Sequence, residues 1–151
     1  MTKPSVHFAS DHAAVAFRHA LIAHAQELGY HTIDHGPETT DSIDYPDQAA
    51  RVAGALTGSP ADRAVLVCGT GIGMSMVANR FDHLRAAAVS DVFSAAATRA
   101  HNDANVLCMG ARTLGLGLAA EILTTFLATD FEGGRHQRRV DKFPAGFVEK
   151  A

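Results

Sequence analysis

The sequence has no tryptophan, two tyrosines and only two cysteines. Cys68 and Cys108 stand far apart, with no CxxC or Cys/His spacing around either. That excludes a disulfide framework and a cysteine-based zinc site. There is no basic excess either: 13 Lys and Arg face 16 Asp and Glu, for a formal charge of −3. A nucleic-acid binder usually carries the opposite balance. No apolar run approaches the roughly 18 residues of a membrane span. No apolar stretch of signal-peptide length follows Lys3. The expected setting is the cytoplasm, with both thiols reduced and no nucleic acid or membrane as partner. HExxH and other ligand pairs are missing, so no metal site is expected.

What remains is an ordinary globular composition: 151 residues, 47% apolar and 19% charged. That length fits one domain spanning residues 1–151, with a peripheral tail from about residue 141. Short apolar runs alternate with helical patterns. Residues 6–9 read as a first strand. Ala14, Phe17, Leu21, Ala25 and Leu28 then follow at spacings of 3, 4, 4 and 3, one face of a helix that Gly29 closes. Residues 30–34 alternate like a second strand, and 45–56 look helical, with Pro46 tolerated in the first turn. Residues 64–68 form a continuous apolar strand, the mark of one covered on both faces. Strands at 85–89 and 105–109 alternate with helices at 71–79, 92–100 and 116–128. Five strand–helix alternations predict a doubly wound α/β sandwich on a parallel sheet. The commonest order for five strands is 2-1-3-4-5, with its ligand crevice beyond the carboxyl ends of strands 1 and 3.

Chemistry is therefore expected just after Ala9 and just after Val67. Ser10-Asp11-His12 follows the first, and Cys68-Gly69-Thr70-Gly71-Ile72-Gly73 the second. Glycine at every second position lets the backbone turn its N–H groups toward one point and form an anion cradle. The loop is neither GxGxxG nor a Walker A loop. Met74 also stands where the arginine of a C-x5-R phosphatase loop would be. A cysteine that ends a buried strand is usually a core residue, and Cys108 keeps that reading. Cys68 instead abuts a helix N-terminus, which favours thiolate, so it could serve as a nucleophile or a carbon-acid base. No second cysteine near it in sequence supports a redox role.

Most of the nine histidines, including His19, His24, His31, His35 and His83, read as surface residues without partners. His101 stands apart, at a helix end beside Asn102, where it is either a C-cap or a site residue. The segment Gly133-Gly134-Arg135-His136-Gln137-Arg138-Arg139 is the one basic cluster. It is either a solvated face or, with Arg135 and Arg139 at i and i+4 on one helix face, a phosphate monoester site. Arg112 is a second candidate.

Together these motifs, with Asp44-Tyr45-Pro46, Ala78-Asn79-Arg80 and His101-Asn102-Asp103-Ala104-Asn105, resemble the type B ribose-5-phosphate isomerases and their galactose-6-phosphate isomerase relatives. The likeness covers about residues 5–141. It implies a doubly wound α/β fold, no metal or organic cofactor, and a homodimer or tetramer with active sites at the subunit interface. By the same resemblance Cys68 is the base that moves a proton between C1 and C2 of the sugar. Thr70 and the amides of Gly69, Gly71, Ile72 and Gly73 cradle the cis-enediolate. His101 opens the furanose ring with Asn102 beside it, and Asp11 and Tyr45 contact the sugar. His12, Arg112, Arg135, His136 and Arg139 complete the phosphate and substrate set, some of them from the partner subunit. Pro144 and Gly146 break the terminal helix that the family leads one to expect, so nothing is carried over beyond Val140. The expected substrate is ribose 5-phosphate, interconverted with ribulose 5-phosphate. A tetrose or hexose phosphate isomerase, and a sugar-phosphate binder without turnover, are the alternatives.

Overall fold

The structure is a computed structural model that describes residues 3–143. The break at Pro144 and Gly146 lies outside the described residues. The chain runs β1 (Val6–Ser10), a 3-10 turn (His12–Ala14), α1 (Val15–Glu27), β2 (Thr32–Asp34), α2 (Tyr45–Ala55), β3 (Arg63–Cys68) and α3 (Ile72–Ala78). It continues through β4 (Ala86–Ala88), α4 (Val92–Ala100), β5 (Val106–Gly110), α5 (Leu116–Ala128) and α6 (Arg135–Val140).

All four strand pairings are parallel. Successive side chains on a strand point to opposite faces, and each face has its own core. Val6, Phe8, Val65, Val67, Leu107 and Met109 pack under α1, α4 and α5, against Leu21, Ile122, Leu123 and Phe126. Ala9, Leu66, Cys68, Val106 and Cys108 pack under α2 and α3, against Val52, Met74 and Ala78. Burial on both faces explains why β3 and β5 read as unbroken apolar runs rather than alternating ones.

The strand order is 2-1-3-5-4, so the doubly wound class holds but the last two strands exchange places. Burial accounts for the exchange. All five residues of β5 are buried, whereas β4 is three alanines, two of them partly buried and one exposed. Placing β5 inside gives it two hydrogen-bonded neighbours. The short β4 takes the edge, where an unpaired ladder is least harmful.

The predicted crevice survives the exchange, because β1 and β3 remain neighbours. The N–H of Asp11 donates to the Val67 carbonyl at 3.0 Å, and that of Arg112 to the Gly69 carbonyl at 3.0 Å. These bonds stitch together the loops after β1, β3 and β5.

Candidate active site

Cys68 ends β3, 6% exposed, and the Gly71 N–H donates to its Sγ at 3.1 Å. Gly71 adopts φ 80°, and a Cβ there would come 3.0 Å from the backbone of Cys108 and Met109. Both the left-handed conformation and the close approach require glycine. The bend aims the Gly71 amide back at the thiol and starts α3. The Thr70 hydroxyl accepts from the Ile72 N–H at 3.3 Å, which holds the exposed loop turned.

Tyr45, at the start of α2, lies on this loop. A Cβ at Gly73 would fall 2.6 Å from Cζ and Oη of the Tyr45 ring. Arg112 crosses Gly69, where a Cβ would meet its Cδ at 3.4 Å. The Asp11 carboxylate caps the 3-10 turn by accepting from the Ala13 N–H at 3.0 Å. His12 Nδ1 accepts from the Ile43 N–H at 3.1 Å. A neutral ring held this way carries its proton on Nε2. Asp11, His12, Tyr45, Cys68, Gly69, Thr70, Gly71, Ile72, Gly73 and Arg112 thus gather at the carboxyl end of the sheet.

The other predicted residues lie elsewhere. His101 caps α4 before β5 begins, and Asn102 follows it. The Glu132 N–H donates to the Ala100 carbonyl at 3.0 Å, bringing the Gly133–Arg139 segment to that same end. There the His101 and His136 rings stack at 4.4 Å between centroids. α6 carries Arg135 and Arg139, both exposed. From the Ala64–Val106 pair to the Cys68–Gly110 pair, the sheet rises four steps of about 3.3 Å. At least about 13 Å of sheet therefore separates the two groups within one chain. A cleft of about 770 Å³ opens at the amino end, between Arg80, Arg85, Thr98, Asn102, Val140 and Phe143, away from Cys68.

The two thiols are neighbours in space although far apart in sequence. Cys108 pairs with Leu66 on the sheet face that also carries Cys68. Burial, and then the neighbouring Cys68, push the Cys108 thiol far above the ordinary cysteine range. It stays protonated.

Sequence reasoning missed several supports. Arg18 is fully buried. Its guanidinium donates to Ser10 Oγ at 2.6 Å and to the Pro37 carbonyl at 2.8 Å, and its Nε lies 2.9 Å from Asp34 Oδ1. It thereby anchors the loop between β2 and α2 behind Asp11. The signal was present, since Arg18 falls between Ala14 and Leu21 within the apolar stripe. Glu132 was also missed. Its Oε2 lies 3.4 Å from His136 Nε2 and 4.0 Å from His101 Nε2. Its i,i+4 relation to His136 could have revealed it. All five histidines read as partnerless do have partners: His19 Nε2 lies 3.6 Å from Glu38 Oε2 and 3.7 Å from Asp34 Oδ2, and His31 Nδ1 lies 3.3 Å from Ser5 Oγ. His35 Nε2 meets the buried His7 Nδ1 at 2.9 Å, His24 Nε2 meets Thr124 Oγ1 at 2.7 Å, and His83 Nε2 meets the Ala53 carbonyl at 2.8 Å.

Among the described residues no helix is long and apolar enough to cross a membrane.

The model of the Ribose/Galactose Isomerase family matches residues 6–143. Ribose-5-phosphate isomerase B of Escherichia coli is 43% identical over 138 residues, covering 91% of this chain and 93% of that protein. A putative sugar phosphate isomerase of Bacillus subtilis is 48% identical with the same coverage. The solved type B ribose 5-phosphate isomerase of Trypanosoma cruzi superimposes with a TM-score of 0.89 at 44% identity, covering 94% of each chain. That of Clostridium thermocellum gives 0.88 at 39%, covering 91% and 93%. With the family model spanning nearly the whole described chain and relatives this similar over this length, the protein belongs to the ribose/galactose isomerase family.

Proposed function

We propose that this chain is an aldose–ketose isomerase that interconverts ribose 5-phosphate and ribulose 5-phosphate through a cis-enediolate, with Cys68 as the base. The observation that carries the reading is the buried Cys68 sulfur held by the Gly71 N–H at the head of the glycine-rich loop. The reaction moves one proton between adjacent carbons. A single sulfur placed between C1 and C2 reaches both. The negative charge that develops on oxygen falls to preorganised donors, the Thr70 hydroxyl and the amides of the Gly69–Gly73 loop, each strong donor contributing about 3–4 kcal/mol. No metal or organic cofactor enters a step.

The proton-transfer group and the ring-opening and phosphate group stand at opposite ends of one sheet. We infer a homodimer in which the carboxyl end of one chain faces the amino end of its partner. His101, Asn102, Arg135, His136 and Arg139 of the partner then meet Cys68, with Asp11 and Tyr45 on the sugar and His12 and Arg112 beside its phosphate. The surface beside the loop supports this. Ile72 and Met76, one turn apart at the start of α3, are 51% and 65% exposed. Single exposed apolar residues are common, but large ones clustered next to a half-built site suit an interface.

The naming of several relatives as ribose-5-phosphate isomerases favours the pentose. The family description also covers galactose. Initial rates on tetrose, pentose and hexose phosphates decide the matter. Ribose 5-phosphate is expected to have the highest kcat/KM. A higher value for a four- or six-carbon phosphate would reassign the substrate, and binding without turnover would make the chain a sugar-phosphate receptor.

A further inference from the structure

We propose that His101, Glu132 and His136 form a binding site for a divalent transition-metal ion, Zn²⁺ by the chemistry of the donors, and that the ion inhibits the enzyme reversibly. His101 Nε2, His136 Nε2 and a Glu132 oxygen all lie within 4.8 Å of one another. Tetrahedral zinc with ligand bonds of about 2.0–2.1 Å sets its ligand atoms about 3.3–3.4 Å apart. The His136–Glu132 separation, 3.4 Å, already has that spacing. The His101–Glu132 separation, 4.0 Å, needs to close by about half an ångström. The His101 side chain can close it, since it is 45% exposed while that of His136 is 7% exposed. It must swing out of its stack on His136, because stacked rings hold their lone pairs parallel and a metal needs them to converge.

The backbone preassembles the set. Glu132 and His136 are i and i+4, and the Glu132 N–H is bonded to the residue before His101. Two imidazoles and one carboxylate suit zinc with an open fourth position, whereas magnesium and calcium prefer all-oxygen shells. Arg135 and Arg139, on the same helix as His136, repel a cation, which makes the site a weak and reversible one. A second grouping, His19, Asp34 and Glu38, is also close enough in space. There the buried Arg18 guanidinium already occupies Asp34 at 2.9 Å, and its charge opposes a cation.

The inhibitory part rests on the proposed ring-opening role of His101, because a bound ion takes the lone pair which that step uses. The binding part does not. The full-length protein, stripped with EDTA and desalted, is titrated with Zn²⁺ alone against a chromophoric chelator. One ion per chain is expected. Glu132→Gln and His136→Asn should each weaken binding by at least about tenfold, in keeping with losses for groups that support a metal, while Cys68→Ala binds as wild type does. Urea melts of each variant separate loss of a ligand from loss of fold. Absence of binding by the wild type overturns the site. So does binding that survives in Glu132→Gln but is lost in Cys68→Ala, which would place the ion on the thiol. Zinc should slow ribose 5-phosphate turnover more than ribulose 5-phosphate turnover, and EDTA should restore it. Binding without that inhibition overturns the inhibitory part, and binding to a protein that turns over neither sugar overturns the proposed function and leaves the site.

Discussion

The two ends of the sheet are built differently. At the carboxyl end the candidates sit on strand ends, on loops stitched to their neighbours and on the first turns of α2 and α3: Asp11 is bonded to Val67, Arg112 to Gly69, and the Gly71 amide to Cys68. The buried Arg18 stands behind them. At the amino end the candidates hang on helix ends, and His101, Asn102, Arg135 and Arg139 are exposed. Only His136 is buried. The first group is preorganised within one chain, as groups that must meet a transition state need to be. The second is positioned but uncovered, and it gains full electrostatic strength only when another surface removes its water.

The sharpest way to break the comparison is at the sulfur. Cys68→Ala should lower kcat by at least roughly 10³ with KM nearly unchanged, because a base acts on the transition state rather than on binding. Cys108→Ala, which removes a protonated core thiol, should keep most activity. Equal losses in steady-state assays of the two variants would make Cys68 a packing residue.

At the other end, Arg135→Ala and Arg139→Ala should each weaken binding of substrate and of inorganic phosphate by roughly 2–5 kcal/mol if the pair is desolvated in an assembly. Both are exposed in the single chain, where an ion pair contributes only about 0–1 kcal/mol. A calorimetric loss within that smaller range would mean that nothing covers them.

A milder change probes the packing of the first group. Gly73→Ala puts a methyl where the Tyr45 ring lies. The half-exposed ring can swing away, so the fold should tolerate the change while KM rises several-fold. Unaltered KM would separate Tyr45 from the substrate.

The smallest expected effect is on pH dependence. His35, which bonds to the buried His7, is harder to protonate than an ordinary histidine of pKa 6.5, through burial first and then the nearby His7 and Arg51, with Asp34 opposing. The unfolded chain therefore binds more protons than the folded one as pH falls from 6.5 toward the lowered value. Stability should drop in that window and be indifferent to this group above it. Urea midpoints at several pH values should fall less steeply for His35→Gln, and parallel curves would remove His35 as the cause.

Much of the carboxyl end was legible in the sequence because its signals are local. A strand followed at once by Ser10-Asp11-His12, and another by Cys68-Gly69-Thr70-Gly71, puts reactive groups at strand ends whatever the strand order. The exchange of β4 and β5 was not legible, because adjacency in a sheet is decided by long-range burial. The separation of His101 from Cys68 was there to be read. Residues just before a parallel strand lie at the opposite end from residues just after one, and His101 precedes Val106. Arg18 and Glu132 did carry local signals, an arginine inside an apolar stripe and an i,i+4 histidine, whereas the His7–His35 contact was not legible because it joins segments far apart in the chain.

The central claim is that one site takes residues from two chains. It is tested most directly by mixing Cys68→Ala with His101→Ala, co-expressed or reassociated from denaturant, and assaying ribose 5-phosphate turnover. If the chains complement each other, each mixed dimer has one site carrying both defects and one carrying neither. Random pairing then restores about a quarter of wild-type activity, although each variant alone is poor. If the mixture is no more active than the average of the two variants, Cys68 and His101 do not meet across an interface, and the proposed two-chain site is wrong.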